Sequence, residues 1–384
     1  MSTVADALRQ HADAYLKQFG KTMPPEHKRV LALITRCRTG ELGNLRYQCD
    51  TCPEEHWVGR SCGNRHCPNC QNDKSALWLA KRMAQLLPVQ YYLVTFTIPE
   101  TLRRVVRANQ RACYRALFDC GAKTLVELAS GKRFIGTDRM GYFGALHTWG
   151  RDFTVYNPHV HFVVPGGGVS KDGLSWQSAP ENFLFPEMAA AKIYPGKFRD
   201  AMRAAGLEAE FKQADAAAWY QPWTVDVQPV GNGEAALKYL APYVNRVAIS
   251  NQRIVEVNRE GVTYRFTPSG TKQSVTRTVS GQEFVRGFLQ HTLPSKLQRI
   301  RYYGWASPNG KLKFQYVQML VYFYLGWCWL MKRAELVTEI VKPPIPCPSC
   351  KTGKMRLTQI TDSDGRVIYS RPLREHSIAY LDSG

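Results

Sequence analysis

The stretch Asn157-Pro158-His159-Val160-His161-Phe162-Val163-Val164 decides the fold. Read as a strand, it puts His159 and His161 on one face and Val160, Phe162 and Val164 on the other, because successive side chains alternate. The apolar face calls for a cover of helices. The other face holds two imidazoles close enough to share one metal ion. Alone, His-x-His on a strand is a frequent chance pattern of two solvated side chains. His147, in Phe143-Gly-Ala-Leu-His147-Thr-Trp149, alters the balance. A hairpin centred near Phe153 sets residue 147 opposite residue 159 and on the same side. Asp226, on the polar face of a strand at Thr224–Gln228, is the alternative third ligand.

Outward from this hairpin, Tyr91–Ile98 has period two, with Tyr92, Val94, Phe96 and Ile98 on one face. The pattern predicts a long basic helix over Glu100–Ser130, a helical stretch at Lys197–Ala205 and a helix over Glu234–Asn245. Strands with interspersed helices and a central hairpin make an α+β fold, an antiparallel sheet with helices on one face. Four regions follow: 1–90 with a helix pair and a cysteine cluster, 91–250 with the sheet, a basic 251–340, and a tail 341–384.

Composition sets the class of partner. The 384 residues carry 51 Lys and Arg against 31 Asp and Glu, a formal charge of +20 and a pI near 9.6. Such a surplus suits nucleic acid. Phe314–Met331 is apolar and aromatic but holds Gln315 and Gln318, so a buried helix is expected rather than a membrane span. With no apolar leader, the chain reads as soluble and cytoplasmic. The arginines of the basic helix (Arg103, Arg104, Arg107, Arg111 and Arg115) and the run Lys296–Tyr303, with Arg299 and Arg301, are candidate DNA contacts; the plainer reading is a solvated face.

Eleven cysteines without an export signal argue for metal rather than disulfides. Cys49-x-x-Cys52 and Cys67-x-x-Cys70 have the spacing of a four-cysteine structural zinc site, which would also present Arg60 and Arg65 to DNA. Cys62, His66 and Cys37 are surplus ligands of the right type. His56 or His27 could help complete a second site, and ordinary packing is the alternative for Cys37 and Cys62. Cys347-x-x-Cys350 is half a site that could use His376, pair across a dimer or bind nothing.

Tyr239 and Tyr243 are four apart, so a helix sets both phenols on one face, with Pro242 between them. An isolated pair of this kind is usually core packing. Here the order resembles the HUH endonucleases, and within them the two-tyrosine rolling-circle insertion-sequence transposases with a zinc-binding N-terminus. Further matching motifs are Cys37-Arg-Thr39, Ser61-Cys-Gly-Asn-Arg-His-Cys-Pro-Asn-Cys70, His147-Thr-Trp-Gly150, Pro165-Gly-Gly-Gly168, Gln282–Pro294 and Arg299-Ile-Arg-Tyr-Tyr-Gly304. One departure is Asn157, where the family often has a histidine. The resemblance implies a ferredoxin-like HUH domain, a catalytic magnesium or manganese ion, and a covalent tyrosine–DNA intermediate. Its DNA would be single-stranded or hairpin ends and a target. No Gly-x-x-x-x-Gly-Lys loop is present, so unwinding would fall to a host helicase. Tyr243 is favoured as the resting nucleophile because Pro242 pins the backbone before it. A plasmid replication initiator or relaxase shares such a core, and a non-enzymatic zinc-finger regulator would share the charge and cysteines.

Overall fold

The computed structural model describes residues 2–70, 72–244, 249–268, 270–271, 273–326 and 345–371, leaving aside the side chains of 72–73 and 242–244. Helix α1 (Val4–Phe19) starts at a capping box, in which Thr3 Oγ1 accepts from the Asp6 N–H and Asp6 accepts from the Thr3 N–H. After α2 (Pro25–Thr35) come the hairpin β1 (Asn44–Cys49) and β2 (Glu55–Gly59), then α3 (Asn72–Met83) and β3 (Tyr91–Thr97). Next are α4 (Arg103–Ala108), α5 (Gln110–Ala129), β4 (Tyr142–Trp149), β5 (Tyr156–Pro165) and a small hairpin, β6 (Gly167–Val169) and β7 (Trp176–Ser178). Helices α6 (Glu187–Ala204) and α7 (Glu208–Asp215) precede β8 (Val225–Pro229) and α8 (Glu234–Val244). A three-stranded sheet follows, β9 (Ile254–Val257), β10 (Gly261–Phe266) and β11 (Val275–Ser280), then α9 (Gly281–Leu289), β12 (Ile300–Tyr303) and α10 (Phe314–Tyr324). Strands β13 (Met355–Thr361) and β14 (Val367–Ser370) lie in the tail.

The main sheet has the order β12-β4-β5-β3-β8, every neighbouring pair antiparallel. Tyr92, Val94 and Phe96 of β3 are buried with Val160, Phe162 and Val164 of β5 against α5 and α6. The sequence reading puts helices on one face only; the structure has them on both. Tyr91, Phe143, Ala145 and Val163, on the histidine side, are also apolar and pack with Ala236, Leu237 and Leu240 of α8 and Trp78 and Leu79 of α3. A sheet face with that much apolar surface needs a cover of its own.

Two helices depart from their predicted bounds. The basic helix breaks at Asn109, whose side-chain amide donates to the Val105 carbonyl and to Glu210. Asparagine competes with the helix ladder in this way. Helix α6 runs straight through Pro195 instead of starting after it. Proline leaves the carbonyl four residues earlier without its helical donor. That carbonyl, on Ala191, accepts from the Trp223 N–H at 3.0 Å.

Contacts cross the divisions read from the sequence. Strand β12, from the basic 251–340 region, closes the edge of the main sheet on β4. Helix α1 packs on α9. Strand β13 pairs with β1, so the tail and the N-terminal hairpin form one sheet, β14-β13-β1-β2. In α10, Val317, Leu320 and Val321 are buried while Phe323 and Tyr324 are exposed, and residues 327–331 of the expected helix lie outside the described residues. No helix among the described residues is long and apolar enough to cross a membrane.

The Phe162 ring fixes the spacing between sheet and helix. A Cβ on Gly121 of α5 would lie 2.8 Å from its Cε2, and one on Gly144 of β4 would lie 2.7 Å from its Cε1. Flanked on both sides, the ring has no room to yield. Gly121→Ala and Gly144→Ala should each cost about 1–3 kcal/mol through overpacking, read as a lower urea midpoint with an unchanged slope.

Candidate active site

The β4–β5 pairing sets His147 opposite His159, and Ala145 opposite His161. Opposed residues share a face, so the three imidazoles converge, with one ring nitrogen from each lying within 4.8 Å of the others. The Nε2 atoms of His159 and His161 are 3.0 Å apart. Their other nitrogens are held from outside. His159 Nδ1 bonds the Asn157 carbonyl at 2.7 Å, and His161 Nδ1 bonds Thr95 Oγ1 at 2.8 Å. Such outer bonds fix the ring orientation and aim Nε2 inward. Burial lowers the pKa of all three rings, that of His159 to about 4, so they are neutral near pH 7 with lone pairs available. Asn157 Oδ1 is buried, lines the same cleft and has no hydrogen-bond partner among the described residues. The donor set of three neutral imidazoles beside an orphaned amide oxygen fits a divalent cation. Asp226 pairs with Thr95 across β8 and β3 but stands outside the trio, and burial raises its pKa.

Tyr239, on α8, is about half exposed, with its ring centroid 5.8 Å from that of His161 and 6.3 Å from that of His147. Helix α8 continues past Pro242 to Val244. The Tyr243 side chain, favoured by the sequence reading, lies outside the described residues. The cleft above the trio is about 650 Å³, and Arg151, Arg253 and Arg265 line it. Trp149 forms part of its wall, stacked on His147 at 4.6 Å.

The cysteines group differently from the spacing argument. Cys67 and Cys70 lie with Cys37 and Cys62, not with Cys49 and Cys52. The Cys37–Cys67 and Cys62–Cys70 sulfur distances are both 3.7 Å. A tetrahedron of zinc–sulfur bonds of about 2.3 Å has edges of about 3.8 Å. Cys49 and Cys52 sit instead beside Cys347 and Cys350. The spacing misleads because β1 carries Cys49 away from Cys67 and into pairing with the tail. His66 is not in either thiol group: its Nδ1 bonds Asn64, and its Nε2 accepts from the Leu293 N–H at 3.1 Å.

The family model described as "Putative transposase" matches residues 141–313, and the one described as "Transposase zinc-binding domain" matches residues 7–98. "Putative transposase y4qJ" of Sinorhizobium fredii (strain NBRC 101917 / NGR234) is 37% identical over 79% of this chain and 80% of its own. The chain belongs to the insertion-sequence transposases with an N-terminal zinc-binding domain. The transposase for insertion sequence element IS801 of Pseudomonas savastanoi pv. phaseolicola is 27% identical over 77% of this chain and 73% of its own. No solved structure matches it.

In this transposase most of the arginines expected at DNA have internal partners. Arg103 pairs with Glu100, Arg107 donates to Gln290 and stands over Tyr156, and Arg111 donates to the Ser295 carbonyl. Arg301 binds Asp119 at 2.8 Å and covers Phe118. Arg299 is buried over Trp149. Arg60 and Arg65, expected to face DNA from the cysteine segment, donate to the Thr361 carbonyl and to the Leu293, Pro294 and Leu297 carbonyls. A stripe of like charge in sequence cannot reveal that it clamps a segment nearly 200 residues away. Thr95 also escapes sequence reading; its only signal is a polar residue on the β3 face that pairs with His161.

Structural zinc fits the fully grouped thiols of the matched domain. Cys67→Ser should therefore release zinc and destabilise the N-terminal region by about 4 kcal/mol or more, since metal binding and folding are linked. Metal content and a thermal melt of the purified variant check this.

Proposed function

We propose that this transposase nicks and rejoins single-stranded DNA through a covalent link to Tyr239. The observation that carries the reading is the half-exposed Tyr239 phenol against the buried trio of His147, His159 and His161. The order β3-α-β4-β5-α-β8, with β3 and β5 central, supports reading the sheet as the ferredoxin-like core of HUH nucleases.

The trio would hold a magnesium or manganese ion, which when bound supplies Lewis-acid polarisation of the scissile phosphate. Thr95 and the Asn157 carbonyl keep the imidazoles aimed at the site. Trp149 excludes water from one side of His147. Arg151, Arg253 and Arg265 give the cleft the charge to hold flanking phosphates of a single strand. The Tyr239 hydroxyl loses its proton and attacks phosphorus. The bond from phosphorus to the 3′ oxygen breaks, and that oxygen takes up a proton. The products are a 5′-phosphotyrosine and a free 3′-hydroxyl. The phosphodiester is conserved in the protein link, so a 3′-hydroxyl can reverse the step without ATP. Tyr243, one helical turn on, is positioned by sequence for a second cut or a second end. A host helicase would supply the single strand, and a target DNA would accept it.

Incubation with a short single-stranded oligonucleotide from the element end should yield an adduct that mass spectrometry maps to Tyr239. Tyr239→Phe should lose that adduct while keeping DNA affinity. An adduct on Tyr243 alone in the parental protein would reassign the nucleophile, and none on either tyrosine would defeat the mechanism.

His159→Ala and His161→Ala should abolish cleavage but leave DNA binding largely intact. Thr95→Val should weaken manganese binding by about 10–100-fold through loss of the outer bond. Calorimetric titration with manganese measures this. Unchanged affinity in the valine variant would show that Thr95 does not position His161.

A further inference from the structure

Cys347 and Cys350 sit beyond both matched regions, at the start of the tail. Their sulfurs meet those of Cys49 and Cys52, with 3.8 Å from Cys49 to Cys350 and 3.7 Å from Cys52 to Cys347. All four lie within 4.8 Å of one another. These separations are the edges expected of a zinc–thiolate tetrahedron, and the four cysteines are free.

The backbone around them is shaped for sulfur. The Thr51 N–H donates to Cys49 Sγ at 3.4 Å, and the Gly353 N–H donates to Cys350 Sγ at 3.2 Å. Such outer donors orient sulfurs for a metal ion. Two Cys-x-x-Cys turns thus face each other from segments about 300 residues apart. Gly353 allows the approach: a Cβ there would lie 2.3 Å from Cys49 Sγ and 2.9 Å from Thr51 Cβ. A second set of contacts holds the same register. Lys354 N–H donates to Asp50 Oδ1 at 2.7 Å, Asp50 N–H donates to the Lys354 carbonyl, and Cys49 pairs with Met355 between β1 and β13. Little else packs there; Tyr47 and Met355 are the main apolar neighbours. Four sulfurs make poor mutual hydrogen bonds, so a metal-free cluster has little reason to bring them together.

We propose that Cys49, Cys52, Cys347 and Cys350 bind a zinc ion that fastens the C-terminal tail to the N-terminal hairpin. This zinc is separate from the one suited to Cys37, Cys62, Cys67 and Cys70. All four positions are filled by protein sulfur, so the site is structural and leaves no position for a reacting group. It closes a loop of about 300 residues around the main sheet. Tail strand β13 is therefore a metal-dependent part of the zinc-binding domain. The inference does not depend on the tyrosine chemistry.

The protein should contain two zinc ions per chain, and Cys347→Ser/Cys350→Ser should contain one. In the parental protein, Cys347 and Cys350 should resist iodoacetamide together with Cys49 and Cys52. All four should become modified in step as a chelator removes the first equivalent of metal. This arm needs no variant and so holds even if the double substitution misfolds. Gly353→Ala should weaken retention of the same ion while leaving Cys37, Cys62, Cys67 and Cys70 protected. Fewer than two zinc ions in the parental protein, an unchanged zinc content in the double variant, or modification of Cys347 and Cys350 without chelator would each overturn the proposal.

Discussion

If β4 slipped by one residue against β5, His147 would turn to the opposite face of the sheet and the trio would cease to exist. Side chains alternate along a strand, so a one-residue shift exchanges every inward position for an outward one. The register is held from both faces. On the helical side, Phe162 lies between Gly121 and Gly144, and a slip would set the side chain of Phe143 or Ala145 where only Gly144 leaves room for its ring. On the other side, Phe143, Ala145 and Val163 fit under Leu237 and Leu240. The geometry of the imidazoles is thus a consequence of apolar packing on both faces of the sheet.

The rest of the structure reinforces this pair of strands at its rim. The ladder becomes irregular between His147 and Trp149, and there Trp149 lies on the His147 ring. Arg299 stands over the other partner of that stack, while His291 bonds Thr148 and the Phe153 carbonyl. The turn of the hairpin is anchored by Asp152, which accepts from Tyr264 and pairs with Arg277 of the three-stranded sheet. Partial burial pushes the Asp152 pKa up, but the Thr154 N–H together with Tyr264 and Arg277 holds it below the usual carboxylate range. The C-terminal elements therefore brace the hairpin as much as they surround the cleft.

Much of the main sheet was legible because its signals are local. Period two in Tyr92, Val94 and Phe96, the alternation in 159–164, and a symmetric hairpin about Phe153 each need only a few adjacent residues. What failed to read was long-range. Cys49 and Cys52 look like partners of the nearest knuckle, and only the β1–β13 pairing reveals that Cys347 and Cys350 are their neighbours. Strand β12 reads as part of a basic run because Arg299 and Arg301 stand out in 296–303, yet its backbone closes the sheet. The helix through Pro195 depends on a donor from Trp223, which no local pattern announces. The relation of Tyr239 to the trio followed from placing a helix after β8, but the spacing of two phenols could not say which would rest there.

Strand β4 lies inside the sheet only because β12 covers it, and β12 comes some 150 residues later in the chain. A ribosome adding about 5–20 residues per second needs on the order of 10 s or more to deliver it. Throughout that interval the growing chain presents an open ladder of N–H and C=O groups along β4, next to Phe143 and Ala145. An unpaired apolar edge of this kind recruits other strands. Synthesis of this protein thus includes a period in which its own main sheet is a template for association, ended by the arrival of four residues, Ile300–Tyr303.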